Sequence, residues 1–359
     1  MIRLSRRHPG FSSSDGGFLM PQPRGSALRF LAALVAAPAL LLSACGTGTG
    51  AGGGDYPSED IELVVPYEPG GGYDTWARLL APYIEKHLPN KVNIVIRNMP
   101  GAGGLTAANT LYAADPDGTQ IQLMNLTGIV AAQLGTAQKF DVRDFTFLGR
   151  VTNDPQVLCV SPGSGINDIA DLEQRSPIKQ AMTGFASSEG VDTIILYDKF
   201  GIEYTPVMHE GNSEARLSII RGDTTAGISS LESALEELQG GDLKPILYAG
   251  QKPRQGEPGY EFVKDVETLD EAGHPELSKG LEAQRIIVAP PQLPDEIKGR
   301  LDKAIQGALA DPGFQRKAEE SNLAPNPLGA AEAHSLVRET IHFLSSHRAA
   351  IRETIEEQG

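Results

Sequence analysis

Residues 61–74 read IELVVPYEPGGGYD, and this stretch decides the fold. A run of aliphatic and β-branched residues, the composition that favours strands, ends in Pro66-Tyr67-Glu68-Pro69-Gly70-Gly71-Gly72, and a helix-like segment over 75–88 follows at once. The order is strand, tight loop, helix start. A loop of this kind sets backbone N–H groups and a helix N-terminus at the carboxyl end of a sheet, where open α/β sheets hold small ligands. It is a candidate anion pocket. Gly70, Gly71 and Gly72 let the backbone approach a ligand closely, Tyr73 offers a hydroxyl, and Asp74 either caps the helix or holds a bridging water. The structural alternative is a plain turn in which Asp74 is only a helix cap.

The segment before this loop addresses the compartment. Arg24 and Arg29 precede an apolar tract over 30–42, shorter than the roughly 20 residues a spanning helix needs. Leu42-Ser43-Ala44-Cys45 closes it and resembles a bacterial lipobox. Residues 1–44 are therefore expected to be a lipoprotein signal peptide, with Cys45 lipidated as the new N-terminus and Met20 an alternative start. Residues 46–54, GTGTGAGGG, cannot build a core and read with Cys45 as a flexible tether. The folded part is expected to begin near residue 55.

The chain carries a formal charge of −15, and residues 1–44 contain five arginines and one aspartate, a net of +4, so the remainder carries −19. Nucleic acid is not an expected partner. An anion still is, because N–H groups and helix ends act at contact while distant surface charge is screened. Beyond Cys45 there is only Cys159, which excludes a disulfide framework and a Cys-based metal site. Lying in the apolar run 157–160, Cys159 reads as a buried thiol. The seven histidines show no HExxH-like spacing, no Gly-x-Gly-x-x-Gly opens a dinucleotide site, and no Gly-x-Ser-x-Gly elbow supports an enzyme in which Ser187 or Ser188 is the nucleophile. No metal, cofactor or catalytic residue is expected.

About 305 residues from 55 onward are too many for one ordinary core and suit two α/β lobes. Strand-like runs lie at 62–66, 92–97, 120–124, 145–150, 156–161, 179–183, 204–208, 226–228, 245–248 and 285–289. Helix-like segments lie between them at 75–88, 105–113, 168–174, 191–200, 213–221 and 230–239, with apolar residues three or four apart. Pro82 should kink or shorten the first helix, and Trp76 sits on its apolar face with Leu79, Leu80 and Tyr83, which reads as core. Three last helices, 294–310, 311–321 and 330–357, have no strand after them and should pack back onto an earlier lobe.

Three ordered motifs carry a family resemblance: Val65-Pro66-Tyr67-Glu68-Pro69-Gly70-Gly71-Gly72-Tyr73-Asp74, Asn98-Met99-Pro100-Gly101-Ala102-Gly103-Gly104, and Ala114-Asp115-Pro116-Asp117-Gly118. The chain resembles the solute-binding proteins of tripartite tricarboxylate transporters, the TctC or Bug family. The resemblance implies a two-lobed periplasmic-binding-protein fold of the type 2 Venus flytrap kind, each lobe a doubly wound sheet. Lobe one would comprise 55–152 and 283–359, and lobe two 153–282. It further implies a monomeric extracytoplasmic lipoprotein, on the outer face of the cytoplasmic membrane or in the periplasm. Such a protein captures a small carboxylate between the lobes and hands it to membrane permease subunits. The alternative is a sensor subunit using the same cleft.

In that reading the carboxylate is held by Gly70, Gly71, Gly72, Tyr73 and Asp74, with Gly103 opening the next helix. Thr183, Ser187 and Ser188 face it from lobe two. Thr127 is either a further hydroxyl at the site or a helix-capping threonine. The chain departs from the family pattern at Ala186, at His209-Glu210 and at Ile228-Ser229-Ser230, which makes the cleft less cationic and richer in hydroxyls. Glu189 adds a charge that repels a highly charged anion.

Overall fold

Ten strands arise among the described residues, which are 56–278 and 280–358 of a computed structural model. They are β1 (Ile61–Val65), β2 (Ile94–Asn98), β3 (Gln120–Asn125), β4 (Thr146–Asp154), β5 (Gln156–Val160), β6 (Ile178–Met182), β7 (Tyr204–Met208), β8 (Ala226–Ser230), β9 (Lys244–Ala249) and β10 (Ala283–Ala289). Each coincides with a strand-like run of the sequence, with ends shifted by a few residues. The expected signal peptide, Cys45 and the tether lie outside the described residues. The described residues belong to one compact unit.

The strands form two five-stranded sheets, in the orders β2-β1-β3-β10-β4 and β7-β6-β8-β5-β9. In the first, β1 pairs in parallel with β2 and β3, while β10 runs antiparallel between β3 and β4. In the second, β6 pairs in parallel with β7 and β8, while β5 runs antiparallel between β8 and β9. Both sheets are thus mixed, a parallel trio with an antiparallel strand inserted beside it. This placement matters for function. The carboxyl ends of β1, β2 and β3 lie at one edge of the first sheet, and antiparallel β10 brings its first residues to that same edge, with Arg285 opposite Asn125.

Helices follow the strands: α1 (Gly72–His87), α2 (Leu105–Tyr112), α3 (Leu126–Gly135), α4 (Ile169–Gln174), α5 (Ser188–Phe200), α6 (Asn212–Arg221) and α7 (Leu231–Gly240). Two short turns, α8 (Tyr260–Val263) and α9 (Pro275–Ser278), lie between β9 and β10. The chain ends in α10 (Asp295–Leu309), α11 (Pro312–Glu320), α12 (Ala330–Ser346) and α13 (Arg348–Gln358). Helix α1 does not stop at Pro82 but runs on to His87. The segment 330–357, expected as one helix, is broken at His347, which caps α12. Helix α3 was not expected. Its sequence LTGIVAAQLG is buried at Leu126 to Ala132 and again at Gly135, so it has no polar face and none of the periodicity by which an amphipathic helix is read.

Every strand of the antiparallel insertions is buried on both sides, and alternation divides its residues between cores. Ile287 and Ala289 join Ile61, Leu63 and Val65 under α1 and α10, while Ile286 and Val288 face the opposite core. That opposite core is shared by the two sheets. It holds Ile129 and Val130 of α3, Leu158 and Val160 of β5, Val191 and Ile194 of α5, and Val337 and Ile351 of the last two helices. A third core lies on the far face of the second sheet, around Val157, Cys159, Ile219 and Leu235. Burial pushes the Cys159 thiol up to about 12, as an inert core thiol requires.

The C-terminal helices complete the first sheet's core. Phe314 of α11 is fully buried and its ring lies 6.3 Å from Trp76 and 5.7 Å from Tyr83 of α1. Truncating it removes a large apolar side chain and leaves a cavity. Phe314→Ala should therefore cost about 3–5 kcal/mol, read as a lower urea midpoint with an unchanged denaturant slope. A loss below about 1 kcal/mol would mean α11 is dispensable to this core.

Candidate functional site

The carboxyl edges of the two sheets meet. From the first come Tyr67 after β1, Asn98 at the end of β2, Asn125 at the end of β3 and Arg285 near the start of β10. From the second come Thr183 after β6, His209 after β7, and Ser229 and Ser230 at the end of β8. His209 extends the pairing of β7 by donating its N–H to the Met182 carbonyl at 2.8 Å.

Asp74 builds the first loop. It is 3% exposed, and its carboxylate accepts from Gly70 N at 2.9 Å, Arg78 Nε at 2.8 Å and Asn98 Nδ2 at 3.0 Å. Burial pulls its pKa upward, but these three bonds outweigh that and hold it below the ordinary value. Asp74 is thus a brace for the glycine turn, and the Gly70 N–H is committed to it. The groups left at the head of α1 are those of the first helical turn, whose N–H groups have no intrahelical acceptor.

Ser187 is likewise structural. Its Oγ accepts from Gly190 N at 3.0 Å and donates to the Gly184 carbonyl at 2.8 Å, capping α5. Ser188 instead crosses to the other sheet, donating to Asn125 Oδ1 at 2.7 Å. Asn125 in turn donates through Nδ2 to the Tyr67 hydroxyl at 2.8 Å, and that hydroxyl donates to the Gly103 carbonyl at 3.3 Å. Gly103, at φ +65°, packs so closely that a Cβ there would stand 2.7 Å from the Ala186 carbonyl carbon, and one on Gly128 would stand 1.8 Å from the Ala186 oxygen. Glycine at both positions is what lets these loops touch.

A buried charge cluster lies beside this contact. The Arg285 side chain is 2% exposed; it is ion-paired through Nη1 with Asp154, lies 3.8 Å from Glu232 Oε2, and is stacked 4.9 Å over the Tyr73 ring. Trp76 donates its indole N–H to both oxygens of Glu232, at 3.0 and 2.9 Å. Trp76 is therefore core, as expected, and also a link from α1 to α7. Burial first, and then the charge of Asp154, push Glu232 up to about 8, against the opposing pull of Arg285 and the Trp76 N–H.

Several buried polar atoms here have no hydrogen-bond partner among the described residues: Tyr73 Oη, Thr183 Oγ1, His209 Nε2, Ser229 Oγ and Arg285 Nε. Orphans of this kind are costly, and they stand at the meeting edges. A cavity of about 350 Å³ opens between the glycine loop and sheet two, lined by Gly70, Gly71, Gly72, Asn212, Ser213 and Ser233 among others. A second, of about 330 Å³, lies along both crossovers and includes Asp154, Pro155 and Glu282; Glu232 lines both cavities.

Of the sequence-derived site residues, the structure brings Gly70, Gly71, Gly72, Tyr73, Gly103, Thr183, Ser187 and Ser188 to these two edges. Thr127 stands apart, donating to the Glu282 carbonyl at 3.2 Å and lining a small separate cavity with Gly280 and Phe343. Sequence reasoning missed Tyr67, Asn125, Asp154, Glu232 and Arg285. Tyr67 left a signal inside the quoted loop motif, and Arg285 as a cation heading an otherwise aliphatic strand. No group of three or more His, Cys, Asp or Glu among the described residues is placed to hold a metal.

The profile of one family, described as tripartite tricarboxylate transporter family receptor, matches residues 76–351. A protein of Agrobacterium vitis described as the UPF0065 protein in the TAR-I ttuE-ttuC' intergenic region is 28% identical, over 72% of this chain and 73% of its own. Protein BugT of Bordetella pertussis is 23% identical, over 68% of this chain and 75% of its own. MatC from Rhodopseudomonas palustris with bound malate superposes with a TM-score of 0.71 at 24% identity, over 82% of this chain and all of its own. Rpa4515 of the same organism with adipate does so with a TM-score of 0.72 at 22% identity, over 83% and 98%. The fold is that of periplasmic binding proteins.

The charge cluster makes stability depend on pH. An unfolded Glu232 ionises near its ordinary 4.5 and the folded one near 8, so the folded chain binds the extra proton between these values and stability falls as pH rises through that window. Glu232→Gln keeps an acceptor for Trp76 and has no proton to lose. Its unfolding free energy relative to the parent, from urea titrations at each pH, should therefore climb from about pH 5 to about pH 8 and level off above, by up to about 1.4 kcal/mol per pH unit. A difference constant across this range would mean that Glu232 is ionised in the folded chain throughout.

Proposed function

The chain belongs to the tripartite tricarboxylate transporter receptor family, and on that premise we propose that it captures a small carboxylate between its two sheets and delivers it to a membrane permease of the tripartite type. The observation that carries this reading is the set of orphaned donors at the facing edges, Tyr73, Thr183, Ser229 and Arg285 Nε, for which a carboxylate is the natural acceptor. Malate and adipate in the two fold relatives support the ligand class. The protein is not an enzyme in this reading, since no group here is arranged as nucleophile and base.

In the proposed mechanism the parts 55–152 with 283–359 and 153–282 act as lobes. They are joined where β4 passes through Pro155 to β5 and where the chain returns into β10. A ligand contacting both edges favours the closed arrangement by its differential affinity for it. The permease then reads the closed surface. In this reading the chain works outside the cytoplasmic membrane, as a monomer anchored through lipidated Cys45 by the Gly-rich segment 45–54.

Two experiments test this. Thr183→Val and Ser229→Ala each remove one neutral hydrogen bond, worth about 0.5–1.5 kcal/mol net, so each should weaken carboxylate binding two- to roughly tenfold by calorimetry. Unchanged affinity in both would take these hydroxyls out of the site. For the anchor, Cys45→Ala should move the protein from the membrane fraction to the soluble one, since stable attachment needs more than a single acyl chain; full membrane retention would refute lipidation at Cys45.

A further inference from the structure

Glu232 stands in this cleft without a cation of its own. Its side chain is 12% exposed and accepts the Trp76 indole N–H through both oxygens, while Arg285 Nη1 lies 3.8 Å from Oε2 and is spent on Asp154. The other charged groups along the two cavities that Glu232 lines do not supply one. In the first, Arg216 is paired with Glu237, and Glu236 is a further acid. In the second, Lys252 donates to the Lys264 carbonyl at 3.1 Å, Glu257 and Glu282 are acids, and Arg254 is exposed to water with its guanidinium unpartnered among the described residues. Of these charges, Asp154 and Arg285 are the ones that act on the Glu232 pKa.

The same carboxylate flanks the place proposed for the solute. A Cβ on Gly72, the first residue of α1, would stand 2.9 Å from Arg285 Nη2 and 3.7 Å from Glu232 Oε1, and Glu232 shares the 350 Å³ cavity with Gly70, Gly71 and Gly72. A solute carboxylate that takes Arg285 Nε or the free N–H groups at the head of α1 therefore comes to rest beside Glu232. One buried guanidinium then faces three carboxylates: Asp154, Glu232 and the solute. Such a set is relieved by protonating the carboxyl with the poorest counter-charge. Burial, then Asp154, already push Glu232 up to about 8, and an added anion pushes in the same direction.

We infer that Glu232 is the charge-balancing residue of this cleft and links capture to protonation, so that a carboxylate solute enters together with a proton that Glu232 takes up. This rests on the solute-binding reading. The proton comes from solvent and forms an O–H on a Glu232 carboxyl oxygen; no bond in the solute changes. At a pH where the free chain already holds this proton, affinity is independent of pH. Where Glu232 is ionised in the free chain, capture has to bring the proton in, and affinity falls by up to about tenfold per pH unit.

Calorimetry on the full chain tests this with malate, adipate, propionate and benzoate, all ionised at neutral pH and above, at pH 7 and pH 9 in buffers of different ionisation enthalpy. For the acid that binds, affinity should be about three- to tenfold lower at pH 9, and the buffer dependence there should show uptake of roughly half a proton or more. Glu232→Gln, checked for folding by its melting curve, should bind equally at the two pH values with no buffer dependence. Trp76→Phe deletes the N–H that favours the ionised carboxylate, so its affinity should begin to fall at higher pH than the parent's. A parent affinity unchanged between pH 7 and pH 9 overturns the inference while leaving carboxylate capture intact. So does a proton uptake that survives Glu232→Gln, or a Trp76→Phe profile that begins to fall where the parent's does. Binding by none of the four acids overturns the carboxylate reading and the inference together.

Discussion

A guanidinium buried to 2% exposure is the constraint around which the rest is arranged. An uncompensated charge in such a place costs several kcal/mol, so Arg285 requires the carboxylate of Asp154, and the position of that pair fixes the chain path. Asp154 is the last residue of β4 and Arg285 the third of β10, strands paired so that Ala283 stands opposite Asp154. The ion pair therefore sits where the chain leaves the first sheet and where it comes back. Glu232 reaches the same cluster from α7 on the second sheet, and Trp76 reaches it from α1 on the first. One buried charge thus ties together both crossovers and both sheets.

The strands were legible because their signal is local. Aliphatic and β-branched runs bounded by Gly, Pro and Asp predict all ten, and the glycine loops mark strand ends at which the two sheets meet. What was not legible depends on the fold as a whole. Helix α3 is buried nearly all round, so it lacks the polar face that betrays a helix, and only the shared core explains its composition. Asp74 and Ser187 carry the right chemistry for a ligand and spend it on their own loops, which no spacing rule separates from binding. Arg285 and Glu232 lie 131 and 78 residues beyond Asp154; the pairing of β4 with β10 brings the first to it and the meeting of the sheets brings the second, proximities that sequence order hides.

The glycines have a second use beyond the one their motif implies. Read as a sequence, Gly101 to Gly104 is a set of exposed N–H donors at a helix head. In the fold, Gly103 and Gly128 are the surfaces on which the Ala186 backbone rests. A side chain at either would hold the α5 loop away from the first sheet and break the Ser188 to Asn125 hydrogen bond that runs between them. Absence of Cβ atoms here is a requirement for contact between the sheets, with ligand access a separate matter.

In the proposed reading Arg285 is held by Asp154 and keeps only Nε for a ligand, so the site draws much of its recognition from neutral groups. Each hydroxyl bond contributes little net free energy because water offers the same bond to the separated parts. The balance changes once the edges meet, since Tyr73, Thr183 and Ser229 are then shut away from water and an acceptor placed among them relieves several unsatisfied groups at once. In the proposed mechanism affinity and closure are then one event: the donors are strong only when the sheets touch, and contact is least costly when the donors are filled. On that mechanism a solute that satisfies one edge alone gains the small exposed-bond value and leaves the other edge orphaned, which is how a cleft of modest individual contacts would discriminate by shape.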